Sequence, residues 1–145
     1  VKFSDKITRE KALNMNPVVL AFIGDAVYSL FVREKMAFEN DFKSGKLNQM
    51  TAQIVKATAQ ADIITKIMPY LTEEEVDIFK RGRNAKKPSH AKNAKISDYN
   101  KSTGFEAVLG FLYVTGNDER LNFILNFNDP NVSNTFEVID ENSKV

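Results

Sequence analysis

The sequence predicts an all-α domain. Apolar residues recur at spacings of three and four through most of the chain, helix start and stop signals bracket those stretches, and no segment of useful length alternates apolar and polar residues with period two. At 145 residues the chain reads as one domain able to bury its own core. We divide it into a polar leader over 1–15, a helical domain over 16–128 and a loosely ordered tail over 129–145.

The leader carries only Ile7 and Leu13 as scattered apolar positions. Asn16-Pro17 then starts a helix, with Asn as a cap and Pro in the first turn, where its missing N–H is not needed. The helix that follows, to about Phe38, is apolar nearly all round through Val18, Val19, Leu20, Phe22, Ile23, Val27, Leu30, Phe31 and Val32, and is expected to run through the core. In its middle stands Asp25, behind Gly24. A carboxylate buried there without a partner would shift its pKa or cost several kcal/mol, so something must compensate it. The small residues around it, Ala21, Gly24 and Ser29, leave room for another helix or for a metal ion with its waters.

Leu47, Met50, Ile54, Ala57, Ala61, Ile64 and Met68 form one apolar stripe on a second long helix that Pro69 ends. Thr72 to Glu75 is a capping box opening a short helix with Val76 and Phe79 on its buried face. The segment from Arg81 to Lys95 holds six Lys or Arg and no acid, and with Gly82, Pro88 and two Asn it reads as an irregular loop. A loop of this length inside a compact domain is often functional, and its natural partner is a polyanion. Arg81, Arg83, Lys86, Lys87, Lys92 and Lys95 are the candidate phosphate contacts, with Asn84 as a sugar or base-edge contact or an ordinary turn residue. Ile96 to Thr115 is a second strongly apolar helix, starting at Ser97 or Asp98 and again carrying a lone acid, Glu106, between Gly104 and Gly110. Thr103 to Glu106 also fits a capping box if that helix starts late. A last amphipathic helix, capped by Asn117, uses Leu121, Ile124 and Leu125 and stops before Asp129-Pro130.

Composition narrows the chemistry. With no cysteine and a single histidine, His90, thiolate metal sites, disulfides, cysteine nucleophiles and two-imidazole sites are all excluded. Hard oxygen ligands remain, and with them Mg²⁺ or Mn²⁺. His90 reads as a surface residue. The longest unbroken apolar run is too short to span a bilayer, and with no secretory leader in view the chain reads as soluble and cytoplasmic. Two acids on two apolar helices, each beside glycine, are what close backbone approach with converging carboxylates would require. Spacing alone leaves open whether they meet.

The segment AFIGDAVYSLFVRE resembles the signature helix of ribonuclease III domains, and STGFEAVLGFLY resembles their second acidic motif. With RGRNAKKP between the two and no double-stranded-RNA-binding domain following, the chain is most similar to the short Mini branch of that family. The resemblance runs from about Asn16 to Phe127. It implies an all-helical homodimer that cuts double-stranded RNA with Mg²⁺, Mn²⁺ being a substitute, in maturation of the large-subunit (23S) ribosomal RNA precursor. Asp25 and Glu106 match the family's catalytic, metal-binding acids. Ala21, Thr103 and Val18 stand where longer members have further acids, which implies fewer protein ligands and more water around the ion. Two other readings stay open from the sequence: a non-catalytic RNA-binding helical module, and a protein-interaction dimer whose basic loop meets an acidic partner.

Overall fold

The computed structural model describes residues 3–39, 49, 57–86 and 96–127. Among these the chain is helical, with no strand: α1 (Arg9–Leu13), α2 (Pro17–Glu39), α3 (Ala57–Ile67) with a 3₁₀ turn over Met68–Tyr70, α4 (Glu73–Asn84), α5 (Ile96–Val114) and α6 (Asp118–Leu125). The all-α expectation is therefore met. The helices are arranged around α5, against which α1, α2, α3, α4 and α6 all pack. Every residue of α5 from Ser102 to Leu112 is buried except Glu106, which is partly exposed.

Local chemistry sets the helix ends. Asn16 Oδ1 accepts from the Val18 N–H at 2.9 Å, which satisfies one of the free donors at the start of α2. The capping box at Thr72 is complete: Thr72 Oγ1 accepts from the Glu75 N–H at 3.1 Å, and Glu75 Oε1 accepts from the Thr72 N–H at 3.0 Å. Asn117 Oδ1 accepts from the Arg120 N–H at 3.3 Å and so caps α6. The polar segment before α2 lies on the same core. Thr8 caps α1, Ala12 is fully buried, and the Ile7 N–H donates to the Val114 carbonyl at 2.9 Å.

Glu75 also serves a purpose that the capping motif did not reveal. Arg120 donates from Nε to Glu75 Oε2 at 2.9 Å and from Nη2 to Oε1 at 2.5 Å, and Nη2 reaches the Tyr70 carbonyl at 3.0 Å. This two-pronged buried pair clamps α6 to the start of α4, and each charge is matched by the other.

Three expectations are corrected. First, α2 is not buried all round. Leu20, Ala21, Gly24, Tyr28 and Val32 face the core, whereas Val19, Phe22 and Leu30 are exposed, Phe22 to 79 %. Its apolar composition reflects two apolar faces, of which α5 covers one. Asp25 accordingly lies at the surface rather than in the interior. Second, the basic segment does not begin as a loop, because α4 continues through Arg81, Gly82, Arg83 and Asn84. Gly82 is retained in that helix for packing: a Cβ there would stand 2.9 Å from the Gly104 Cα. Third, α5 is continuous from Ile96, so Thr103 caps nothing; its hydroxyl donates to the Tyr99 carbonyl at 2.9 Å. The helix proposed over 47–56 and the tail over 129–145 lie outside the described residues, apart from Gln49.

The helices α2 and α5 cross with their backbones in contact. A Cβ built on Gly24 would fall 1.8 Å from the Glu106 carbonyl oxygen, and one on Gly110 would fall 1.9 Å from the Leu20 carbonyl oxygen. Both acceptors are rigid backbone, so any side chain at either position must push the helices apart. Gly110→Ala is therefore expected to destabilise the protein by about 3 kcal/mol or more, as overpacking does. In an open helix the same change would stabilise by about 1 kcal/mol. Chemical denaturation distinguishes the two signs, and a neutral or stabilising result would show that the crossing is loose.

Candidate active site

The crossing determines where the two acids go. Asp25 follows Gly24 directly on α2, and Glu106 supplies from α5 the carbonyl against which Gly24 is pressed. Their carboxyls lie close enough for Asp25 to act on Glu106 both by its charge and by hydrogen bonding. The convergence that spacing left open is present. Asp25 is exposed, while Glu106 is mostly enclosed by the core face of α5.

Burial is the largest influence on Glu106 and pushes its carboxyl up to about 9; the charge of Asp25 and the hydrogen bond with it push in the same direction. One contact opposes them. Gln60 Nε2, from α3, donates to Glu106 Oε2 at 3.2 Å and favours the ionised form. At neutral pH and without a cation, Glu106 is thus protonated and the two acids share a hydrogen bond. Tyr28, one turn beyond Asp25 and buried, packs edge-on against Phe105 at 5.6 Å. Burial, followed by the charge of Glu106, raises its phenol, so its hydroxyl keeps its proton.

Gln60 and Tyr28 were not found from the sequence. Tyr28 was hidden among the apolar residues of α2. The stripe drawn through Ala61, Ile64 and Met68 is buried as drawn, but Ile67 is buried too, which widens the core face of α3 enough to include Gln60. A polar residue in register with Ile64 and Ile67, at spacings of four and three, was the available signal.

The donor set suits a hard divalent cation. Two carboxylates placed together favour either a shared proton or a positive ion between them, and carboxylate oxygen is the ligand that Mg²⁺ and Mn²⁺ prefer. Among the described residues no group of three or more His, Cys, Asp or Glu side chains is placed to hold a metal. The positions of the missing family acids offer nothing further: Ala21 and Thr103 are both buried.

The basic residues are placed less uniformly than a single loop would imply. Arg81 Nη2 donates to the Met15 carbonyl at 3.3 Å, holding the turn before α2. Arg83 Nε donates to Asn84 Oδ1 at 3.1 Å, and its guanidinium lies 5.7 Å from the centre of the Phe79 ring. Asn84 and Lys86 are exposed at the end of α4. Lys87, Lys92 and Lys95, and His90 with them, lie outside the described residues. No described helix is long and apolar enough to cross a membrane.

Comparison with known proteins agrees with this geometry. The model of the Ribonuclease III domain matches residues 18–117, a span that includes both acids. A Mini-ribonuclease 3 of Clostridium tetani is 46 % identical over 95 % of this chain and 89 % of its own length. One from Staphylococcus aureus is 44 % identical over 77 % of this chain and 85 % of its own. A crystal structure of a Fusobacterium nucleatum protein superposes with a TM-score of 0.72 at 30 % identity, covering 79 % of this chain and 91 % of that one. By fold, by the family match across both acidic helices and by likeness to its relatives, the chain belongs to the ribonuclease III family, in the branch named Mini-ribonuclease 3.

Proposed function

We propose that the chain is an endoribonuclease that hydrolyses phosphodiester bonds of double-stranded RNA, with Mg²⁺ as its resident cation and Mn²⁺ as a substitute. In this reading it acts as a homodimer, and its natural substrate is precursor RNA of the large ribosomal subunit (23S). The observation that carries the proposal is the meeting of Asp25 and Glu106 at the rim of the α2–α5 crossing. Family membership supports the reaction class.

Asp25 and Glu106 would hold the cation between them. A divalent ion bound there supplies positive charge for the scissile phosphate and lowers the pKa of water to be used as nucleophile. Asp25, being exposed, presents its carboxylate toward the solvent side from which a phosphate arrives. Glu106 forms the inner wall, with the buried Gln60 amide behind it. Tyr28 remains neutral and adds no competing charge. A duplex of A-form RNA is recognised chiefly by its shape, its 2′-hydroxyls and its phosphates, contacts for which Lys86 and Asn84 are exposed beyond α4. The remaining lysines of that segment extend the same proposal.

The bare face of α2 supports the dimer. Val19, Phe22, Ala26 and Leu30 follow one another at helical spacing and are all exposed. Such a stripe is what a two-fold, self-complementary contact would cover. Asp25 lies beside it, so pairing would bring two sites close together, one for each strand of a duplex.

Asp25→Asn and Glu106→Gln are expected to reduce cation-dependent cutting of a labelled RNA duplex by at least about a thousandfold, comparable with losses on removing a group that stabilises developing charge. Both variants should keep the fold. Undiminished cutting by either would remove the assignment, whereas RNA binding without cutting by the wild type would favour the non-catalytic module. Phe22→Asp is expected to convert a dimer into a folded monomer in sedimentation analysis; an unchanged sedimentation coefficient would place the contact elsewhere.

A further inference from the structure

Gln60 stands apart from the rest of the buried polar inventory. It is 1 % exposed and sits on α3 in register with Ile64 and Ile67, on the face that packs into the apolar core. Other buried polar groups have evident structural duties. Arg120 and Glu75 clamp α6 to α4, and the hydroxyls of Ser102 and Thr103 donate back to the Tyr99 carbonyl within α5. The Gln60 amide instead crosses from α3 to one oxygen of a carboxylate at the candidate active site, Glu106 Oε2 at 3.2 Å.

We infer that Gln60 is a positioning residue for the cation site: by donating to Glu106 Oε2 from within the core, it holds the Glu106 carboxylate in the orientation that lets it share a cation with Asp25. This rests on the reading of the pair as a cation site. The geometry supports it in two ways. Glu106 makes side-chain hydrogen bonds to two partners, Asp25 on its outer side and Gln60 on its inner side, so the amide fixes the rotation that Asp25 alone would leave loose. The chemistry of the donor also fits. A lysine at this place would bring its own charge and compete with the ion, and an apolar residue would leave a buried carboxylate oxygen without a donor, at a cost of about 1–3 kcal/mol. A neutral amide avoids both. With Ala21 and Thr103 unable to contribute a carboxylate, orientation of the two acids that remain carries more of the cation affinity.

The test is calorimetric titration of the 145-residue protein with Mn²⁺, comparing wild type with Gln60→Met, which conserves length and volume but removes the donor. The expected result is a Kd raised about 10- to 100-fold, the usual consequence of removing a partner that orients a ligand, with the fold retained and the melting temperature lowered by no more than the lost donor accounts for. In a Glu106→Gln background the Met substitution should add no further loss, a coupling that a merely structural role would not produce. A folded Gln60→Met protein with wild-type affinity would overturn the inference. Should that variant not fold, the side-chain amide signal of Gln60 in nitrogen-15-labelled wild type decides: a shift in step with added Mg²⁺ supports the inference, and a stationary signal while Asp25 responds overturns it. A flat Mn²⁺ titration of the wild type would remove the cation site itself, and is thereby distinct from a failure confined to Gln60.

Discussion

The contact on which the structure depends is between backbones: Gly24 of α2 against the Glu106 carbonyl, and Gly110 of α5 against that of Leu20. Ordinary helix packing keeps axes about 8–10 Å apart because side chains intervene. Removing the side chain at both points lets the helices approach until main-chain atoms touch. The next residue on one helix is then Asp25, and the residue supplying the contacted carbonyl on the other is Glu106. The approach that makes the fold compact is also what forces two acids into hydrogen-bonding contact. Gly82 and Gly104 repeat the device between α4 and α5, which leaves α5 held closely on two sides.

The buried Glu75 and the partly buried Glu106 show how this fold treats charge. Glu75 is given an arginine, a backbone N–H and a place at a helix start, so its ionised form is matched on every side. Glu106 is given another acid and a neutral amide. A fold selected for stability alone would have no reason to place like charges together in a half-enclosed site, where the second ionisation is opposed both by burial and by the first charge. Groups perturbed in this way concentrate at functional sites because the missing positive charge is supplied by what binds there.

Much of this was legible in the sequence. The caps at Asn16, Thr72 and Asn117 were readable because each uses a local side-chain geometry that the neighbouring residues fully specify. The two acids were found because a carboxylate in an apolar helix is conspicuous, and their glycine neighbours are what a close crossing requires, although spacing left open whether the acids meet. Exposure of α2 was misjudged because composition cannot tell a helix buried on all sides from one with an apolar face left exposed. The end of α4 was misplaced for a related reason: Gly82 looks like a loop residue until its neighbour Gly104 is seen across the interface. Gln60 and Arg120 were invisible because their partners lie far away in the chain, and only the fold brings them together.

The crossing confines Asp25 and Glu106 so closely that, without a cation, one proton is retained between them. In the window between the ordinary carboxylate value and about 9, the folded protein binds that proton more tightly than the unfolded chain does. Its cation-free stability therefore declines as the pH rises across the window. The most direct measurement is a carbon-13 NMR titration of the Glu106 side-chain carboxyl in the presence of a chelator. The account predicts a midpoint near 9 that moves down when Asp25 is replaced by Asn. A midpoint near the ordinary carboxylate value of 4.5 would show that no proton is held there.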